Sequence, residues 1–158
     1  MEKVKVKRAE IGMLGRSIFE LTHSCPTMKG KIVFALSKNE GKIQPFMKAQ
    51  GKKQQEILDK YVKTKGKGDK MEYVLTEPTE EEIAKGARPE YVYKSKDGPK
   101  KAEDEMNKFM DEEVEIELHK VWQNDFENLD IVPSRNENIG MFIKLLVSEN
   151  PDPQLTKV

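Results

Sequence analysis

Two short segments, far apart in the chain, constrain its fold more than anything else in the sequence. Near the start, Val4 and Val6 alternate with Lys3, Lys5 and Lys7; far downstream, Val114, Ile116 and Leu118 alternate with Glu113, Glu115, Glu117 and His119. A period of two marks a half-buried strand. A strand cannot satisfy its backbone donors and acceptors alone, so each segment needs a neighbour. Each suits the other: the first offers a lysine face and the second a glutamate face with His119. Opposite charges facing across a strand pair contribute roughly 0.2–1 kcal/mol per pair. The valine and isoleucine faces would then pack on a helix.

The helices follow from spacing. Leu14, Ile18 and Leu21 predict a short helix over 13–22, closed at Ser24-Cys25-Pro26-Thr27. Beyond it, Met28, Ile32, Ala35, Leu36, Ile43, Met47, Ile57, Leu58 and Tyr61 lie near one helical stripe. Pro45 lacks the amide hydrogen and crowds the carbonyl one turn back. Two helices are therefore expected, 28–41 and 45–63, bent end to end or folded as a hairpin. Thr79 and Glu82 form a capping box for a short turn of helix, and Asp97-Gly98-Pro99 opens another helix running to about Asp111. Ser134 and Glu137 form a further capping box, before a last helix with Ile139, Phe142, Ile143 and Leu146 on its apolar side. The predicted fold class is α+β: a long kinked helix or helical hairpin plus a C-terminal helix, packed on a small, mostly antiparallel sheet. Residues 1–150 read as one domain, with a partly mobile excursion at about 64–100 and a frayed tail at 151–158. Within the excursion, Met71 to Leu75 and Tyr91-Val92-Tyr93 read as short hairpin strands.

Composition limits the core. Apolar residues are 36% of the 158 and charged residues 35%, against about 45–50% and 25% in typical domains. A thin core gains from oligomerisation, so self-association is expected. The formal net charge of zero conceals a polarity: residues 1–70 hold 17 Lys+Arg against 7 Asp+Glu, and residues 71–158 hold 11 against 21. Internal neutralisation within the fold is the preferred reading of these two blocks. Cys25 is the one cysteine, which leaves no internal disulfide. The charged start lacks the apolar run of a signal peptide, and no stretch approaches the length of a membrane span, so a cytoplasmic protein with no membrane partner is expected.

No constellation fixes a reaction. His23, Cys25 and His119 are too few for a usual zinc site, which needs about four ligands. Neither a metal nor a cofactor is expected, and the chain does not read as an enzyme. The glutamate clusters at 80–82, 103–105 and 112–113 read as solvated faces. Lys65-Gly66-Lys67-Gly68 has the glycines of a phosphate loop without the helix that must follow. Lys48, Lys52 and Lys53 make the long helical region basic, but a nucleic-acid reader adds a recognisable fold and interleaved aromatics, and here only Phe34, Phe46 and Tyr61 are nearby, with spacing that fits core or interface, which weighs against nucleic acid. Trp122 and Phe126 form an aromatic pair after the glutamate strand and suit either a packing lid or an interface anchor. The candidate partner-binding residues are Trp122, Phe126, Lys48, Lys52, Lys53, Glu103 and Asp104.

Three segments in order carry a resemblance. They are Leu21 to Leu36, with its Cys25-Pro26-Thr27-Met28-Lys29 break and Phe34-Ala35-Leu36; Lys42-Ile43-Gln44-Pro45-Phe46-Met47-Lys48-Ala49 running on to Ile57-Leu58-Asp59-Lys60-Tyr61; and Met106-Asn107-Lys108-Phe109-Met110-Asp111-Glu112-Glu113-Val114-Glu115-Ile116. This order resembles a family of short bacteriophage and prophage proteins defined as a domain of unknown function, with 64–100 as an insertion. The resemblance implies a phage-encoded accessory protein in the host cytoplasm that acts by binding. The first expectation is inhibition or sequestration of a component of a host antiphage defence system, through a host or phage protein partner. The alternatives are a virion or tail-assembly component and a sponge for a small anionic nucleotide. The resemblance transfers no catalytic residue.

Overall fold

The lysine segment and the glutamate segment pair. In the computed structural model, which describes residues 2–24, 30–122 and 145–148, the elements in chain order are β1 (Glu2–Lys7), α1 (Arg8–Ser24), α2 (Gly30–Tyr61), β2 (Thr64–Lys65), β3 (Glu72–Tyr73), α3 (Glu80–Ala84), α4 (Gly98–Met110), β4 (Glu113–Leu118), β5 (Val121–Trp122) and β6 (Val147–Ser148). A 3-10 turn occupies Gly68–Lys70. The architecture is α+β. It divides into two compact units, one formed by 1–48 with 110–158 and the other by 49–109.

In the first unit β1 and β4 run antiparallel, with Lys3 opposite Glu117, Lys5 opposite Glu115 and Lys7 opposite Glu113. His119 falls beyond the strand, so Glu113 takes the third place on the charged face. The ion pairs run diagonally and outward: Lys3 reaches Glu115 at 3.3 Å, Lys7 reaches Asp111 at 3.3 Å, and Glu117 turns to Lys42 of α2 at 3.5 Å. Val6, Ile116 and Leu118 are buried with Ile11, Leu14, Ile18 and Leu21 of α1 and Ile32, Ala35, Leu36 and Ile43 of α2.

Helix α1 starts earlier than its apolar spacing predicts. The Glu10 carboxylate accepts the Lys7 N–H at 2.8 Å, which satisfies the donor of the residue that caps the helix, the last of the strand. Helix α2 is one helix, not two, and Pro45 lies inside it. Pro45 and Gly41 are both exposed, so water reaches the Gly41 carbonyl that loses its partner, and the break expected at 41–45 does not occur. Met47 lies off the apolar stripe and is exposed, while Phe46 packs at the margin of the core. Cys25 and its neighbours, Phe126, the Ser134 capping box and most of the last helix lie outside the described residues. Leu145 and Leu146 are helical and buried. The helix does not continue to Pro151, because Val147–Ser148 instead pairs in parallel with Val121–Trp122.

The second unit closes on a ring of three strands. Thr64 pairs with Tyr73, Leu75 with Tyr91, and Tyr93 with Val62. At the centre the Lys63 N–H donates to the Val92 carbonyl at 2.8 Å, Val92 N–H to Val74 at 2.9 Å, and Val74 N–H to Lys63 at 2.8 Å. Each of the three residues donates once and accepts once. Closure leaves no open edge, so pieces of one or two residues persist where an isolated hairpin is marginal. Gly66 makes the tight turn into β3: its φ is +86°, and a Cβ there would lie 2.2 Å from the Lys70 carbonyl oxygen. The Thr79–Glu82 capping box forms as predicted. The buried apolar side chains of this unit are few, with Ile57, Val62 and Ala102 among the described residues. Polar ties supplement them. Glu105 on α4 accepts from Lys60 and, at 2.7 Å, from Tyr61.

The charge polarity of the sequence dissolves when residues are sorted by unit. Residues 49–109 hold 14 Lys+Arg and 13 Asp+Glu, which leaves 14 and 15 for the rest. Each unit is near neutrality by itself.

Candidate functional site

Asn39 is fully buried on α2 and works as a piece of backbone. Its Oδ1 accepts the His119 N–H at 2.8 Å, and its Nδ2 donates to the His119 carbonyl at 2.9 Å. The chain leaving β4 is thereby fixed to the helix where strand pairing ends. With its backbone held, His119 meets the Phe34 ring edge to face, at 5.9 Å between centroids and 80° between planes. Lys38 stands 5.4 Å from the centre of the same ring, within range of a cation–π contact. Lys31, Phe34 and Lys38 are spaced i, i+3 and i+7, so they share one side of α2.

Beyond His119, Lys120 turns inward: its Nζ donates to the Leu145 carbonyl at 2.6 Å and lies 3.8 Å from Glu2. Val121 is buried. Alternation along β5 then directs Trp122 outward, where it is 44% exposed. A crease of about 120 Å³ separates Trp122 and Lys120 from Lys31 and Ile32. The first unit thus exposes Trp122 across the crease from Lys31 and, on the same side of α2 as Lys31, the 57% exposed Phe34 with His119 and Lys38 against its ring. The chemistry of this face is aromatic contact area edged by positive charge. Exposed aromatic rings with adjacent cations fit a partner with apolar anchors and an acidic rim.

The residues picked from sequence are distributed over the molecule. Trp122 belongs to this face. Lys48, also of the first unit, is exposed on α2. Lys52 and Lys53 continue the helix in the second unit, Lys52 exposed and Lys53 half-buried. Glu103 and Asp104 are exposed on α4, while the third acid of their run, Glu105, turns toward Lys60 and Tyr61. Those two hydrogen bonds, Lys60 first, hold the Glu105 carboxyl below its ordinary pKa. His23 is exposed and donates from Nδ1 to the Phe19 carbonyl at 2.8 Å, so it serves its own helix. Among the described residues no three His, Cys, Asp or Glu side chains converge as a metal site would require. No helix there is long and apolar enough to cross a membrane. Phe34, His119 and Asn39 were not singled out from sequence as a site. The signal for Phe34 was its position off the apolar stripe.

These features define the class: an α+β protein of two units, one of which presents an aromatic and cationic face. No family model, no curated protein and no solved structure matches the chain.

Proposed function

We propose that the protein is a phage-encoded accessory protein that acts by binding, and that the Trp122–His119–Phe34 face occupies an acidic surface of a host defence component. The observation that carries the binding role is the exposure of two large aromatic side chains, Trp122 and Phe34, with Lys31 and Lys38 on the same side of α2 as Phe34, where Asn39 ties the chain leaving β4 to that helix. Aromatic anchors on a rigid base lose little freedom when covered. The order of the three sequence segments supplies the phage context. The small crease between Lys31 and Trp122 favours a protein surface over an enclosed nucleotide, because its 120 Å³ is well below the roughly 300 Å³ at which ligand pockets begin.

Photo-crosslinking in infected cells tests this directly. A photoreactive phenylalanine analogue at position 34 or 122 should capture one discrete partner, whereas the same analogue at Lys67 should not. Capture that is absent at 34 and 122, or equal at Lys67, removes the proposal. A nucleotide released from the purified protein on denaturation, with no protein captured, would shift the reading to sequestration of a small anion.

A further inference from the structure

The second unit exposes a set of side chains that the face above does not use. An open cleft of about 720 Å³ is lined by Leu75, Pro89, Glu90, Tyr91, Tyr93 and Pro99. Tyr91 and Tyr93 are two apart on extended backbone, so their rings stand on one side, about 7 Å apart along the strand. Both rings are held in place. Tyr91 meets Tyr73 edge to face at 5.9 Å and 81°, and the Tyr73 hydroxyl donates in turn to Asp59. Tyr93 lies against Gly98, where a Cβ would come within 3.0 Å of the tyrosine Cβ and 3.2 Å of its Cδ1. Two prolines complete walls that have little conformational freedom left to lose.

Glu90 gives this cleft a sign. Its backbone is bonded to Thr76, but its carboxylate has no ion pair or hydrogen bond among the described residues. Two cations of this unit are engaged elsewhere: Lys94 donates to the Asp59 carbonyl at 2.9 Å and Lys101 pairs with Asp97 at 2.8 Å. Arg88, two residues away, forms no ion pair with Glu90. A carboxylate without a partner among the described residues, on a residue that lines the same cleft as two tyrosines, is complementary to a cation. Tyrosines and prolines lining an open groove suit a polyproline II segment, which is already extended and exposes its backbone for contact.

We propose that this cleft docks an extended, proline-rich segment of a partner protein, with an arginine or lysine of that segment placed against Glu90. The prolines lie across Tyr91 and Tyr93, and the cation sets the direction of the segment. This site is independent of the Trp122 face, and either can fail without the other.

The test is NMR titration of the full-length protein with a proline-rich octapeptide carrying one arginine, and with the same peptide carrying neutral citrulline instead. The arginine peptide should shift Tyr91 and Tyr93 resonances in saturable fashion. Glu90→Gln should weaken it about fivefold and leave the citrulline peptide unaffected. Tyr91→Ala should weaken both peptides tenfold or more, and Tyr91→Phe should retain both. Protection of the Lys63, Val74 and Val92 amides from hydrogen exchange verifies that each variant is folded. Absence of tyrosine shifts at millimolar peptide overturns the proposal, as does indifference of the arginine peptide to Glu90→Gln in a folded variant. Binding of methylguanidinium as strong as that of the peptide overturns the extended segment as the occupant.

Discussion

Asn39 has two polar groups and spends both on the backbone of one residue. Asn39→Ala leaves the half-buried His119 N–H and carbonyl without these partners, and such a loss costs about 2–4 kcal/mol. Urea unfolding should show it, and a loss below about 1 kcal/mol would mean that water replaces the amide. Glu105 makes a prediction about pH. Its folded-state pKa is depressed by Lys60 and then by Tyr61, so its contribution is present above the ordinary carboxylate value and is lost as pH falls through the depressed one. Carbon-detected NMR should find Glu105 titrating below the ordinary carboxylate value, and Lys60→Met should raise it toward that value. Unperturbed titration would show that the ion pair is not populated in solution. Little of this was legible in the sequence. Glu105 and Asp104 are neighbours in an acidic run, and only the angle of the helix decides that one turns to Lys60 and the other to water. Asn39 carries no sequence signature, since its partners are backbone atoms 80 residues away.

The pairing of β1 with β4 was legible because two independent patterns agree there, a period of two and opposite charge. Lys3, Lys5 and Lys7 all replaced by Glu would set like charges opposite Glu117, Glu115 and Glu113. The expected loss is about 1–3 kcal/mol in urea unfolding. Replacing those three glutamates by Lys in the same chain should restore it, and failure of this rescue would show that the charges do not act across the pair. Pro45 predicts a break where α2 is continuous, because the cost of a proline depends on its exposure, which periodicity does not reveal. A solvated Gly41 carbonyl tolerates the missing hydrogen bond, and four-residue apolar repeats on both sides keep the helix on its core. Pro45→Ala should therefore raise stability by about 1–3 kcal/mol, read as a higher thermal midpoint. An unchanged midpoint would mean that the local backbone keeps the shape proline gave it. The three-strand ring was only partly visible as Met71–Leu75 and Tyr91–Tyr93, because pieces this short show no periodicity and are defined by each other.

At the scale of the molecule, the charge polarity is a consequence of the order in which the chain is written. The basic N-terminal segment and the acidic C-terminal segment belong to one unit, and residues 49–109 are balanced internally. No strong field remains on either unit as a whole, so recognition falls to local chemistry. Of the candidate residues, Trp122 is on the aromatic face because alternation along β5 buries Val121 and turns Trp122 outward. Phe34, whose spacing fits core or interface, and Tyr91, read as part of a hairpin strand, are not among the candidates because exposure of an aromatic ring is decided by the turn of a helix or strand and not by the residue itself.

The insertion of one unit within the other also sets an order in time. During synthesis the ribosome releases residues 49–109 as one contiguous stretch, able to close its ring as soon as Tyr93 and α4 emerge. The lysine strand has to wait for the glutamate strand, which at about 5–20 residues per second arrives roughly 5–20 s later. Through that interval Ile11, Leu14, Ile18 and Leu21 have no sheet to cover them. A nascent chain arrested after Met110 exits should therefore carry a protease-resistant 49–109 and a protease-sensitive N-terminus, and it is in that window that the N-terminal segment has most use for a chaperone.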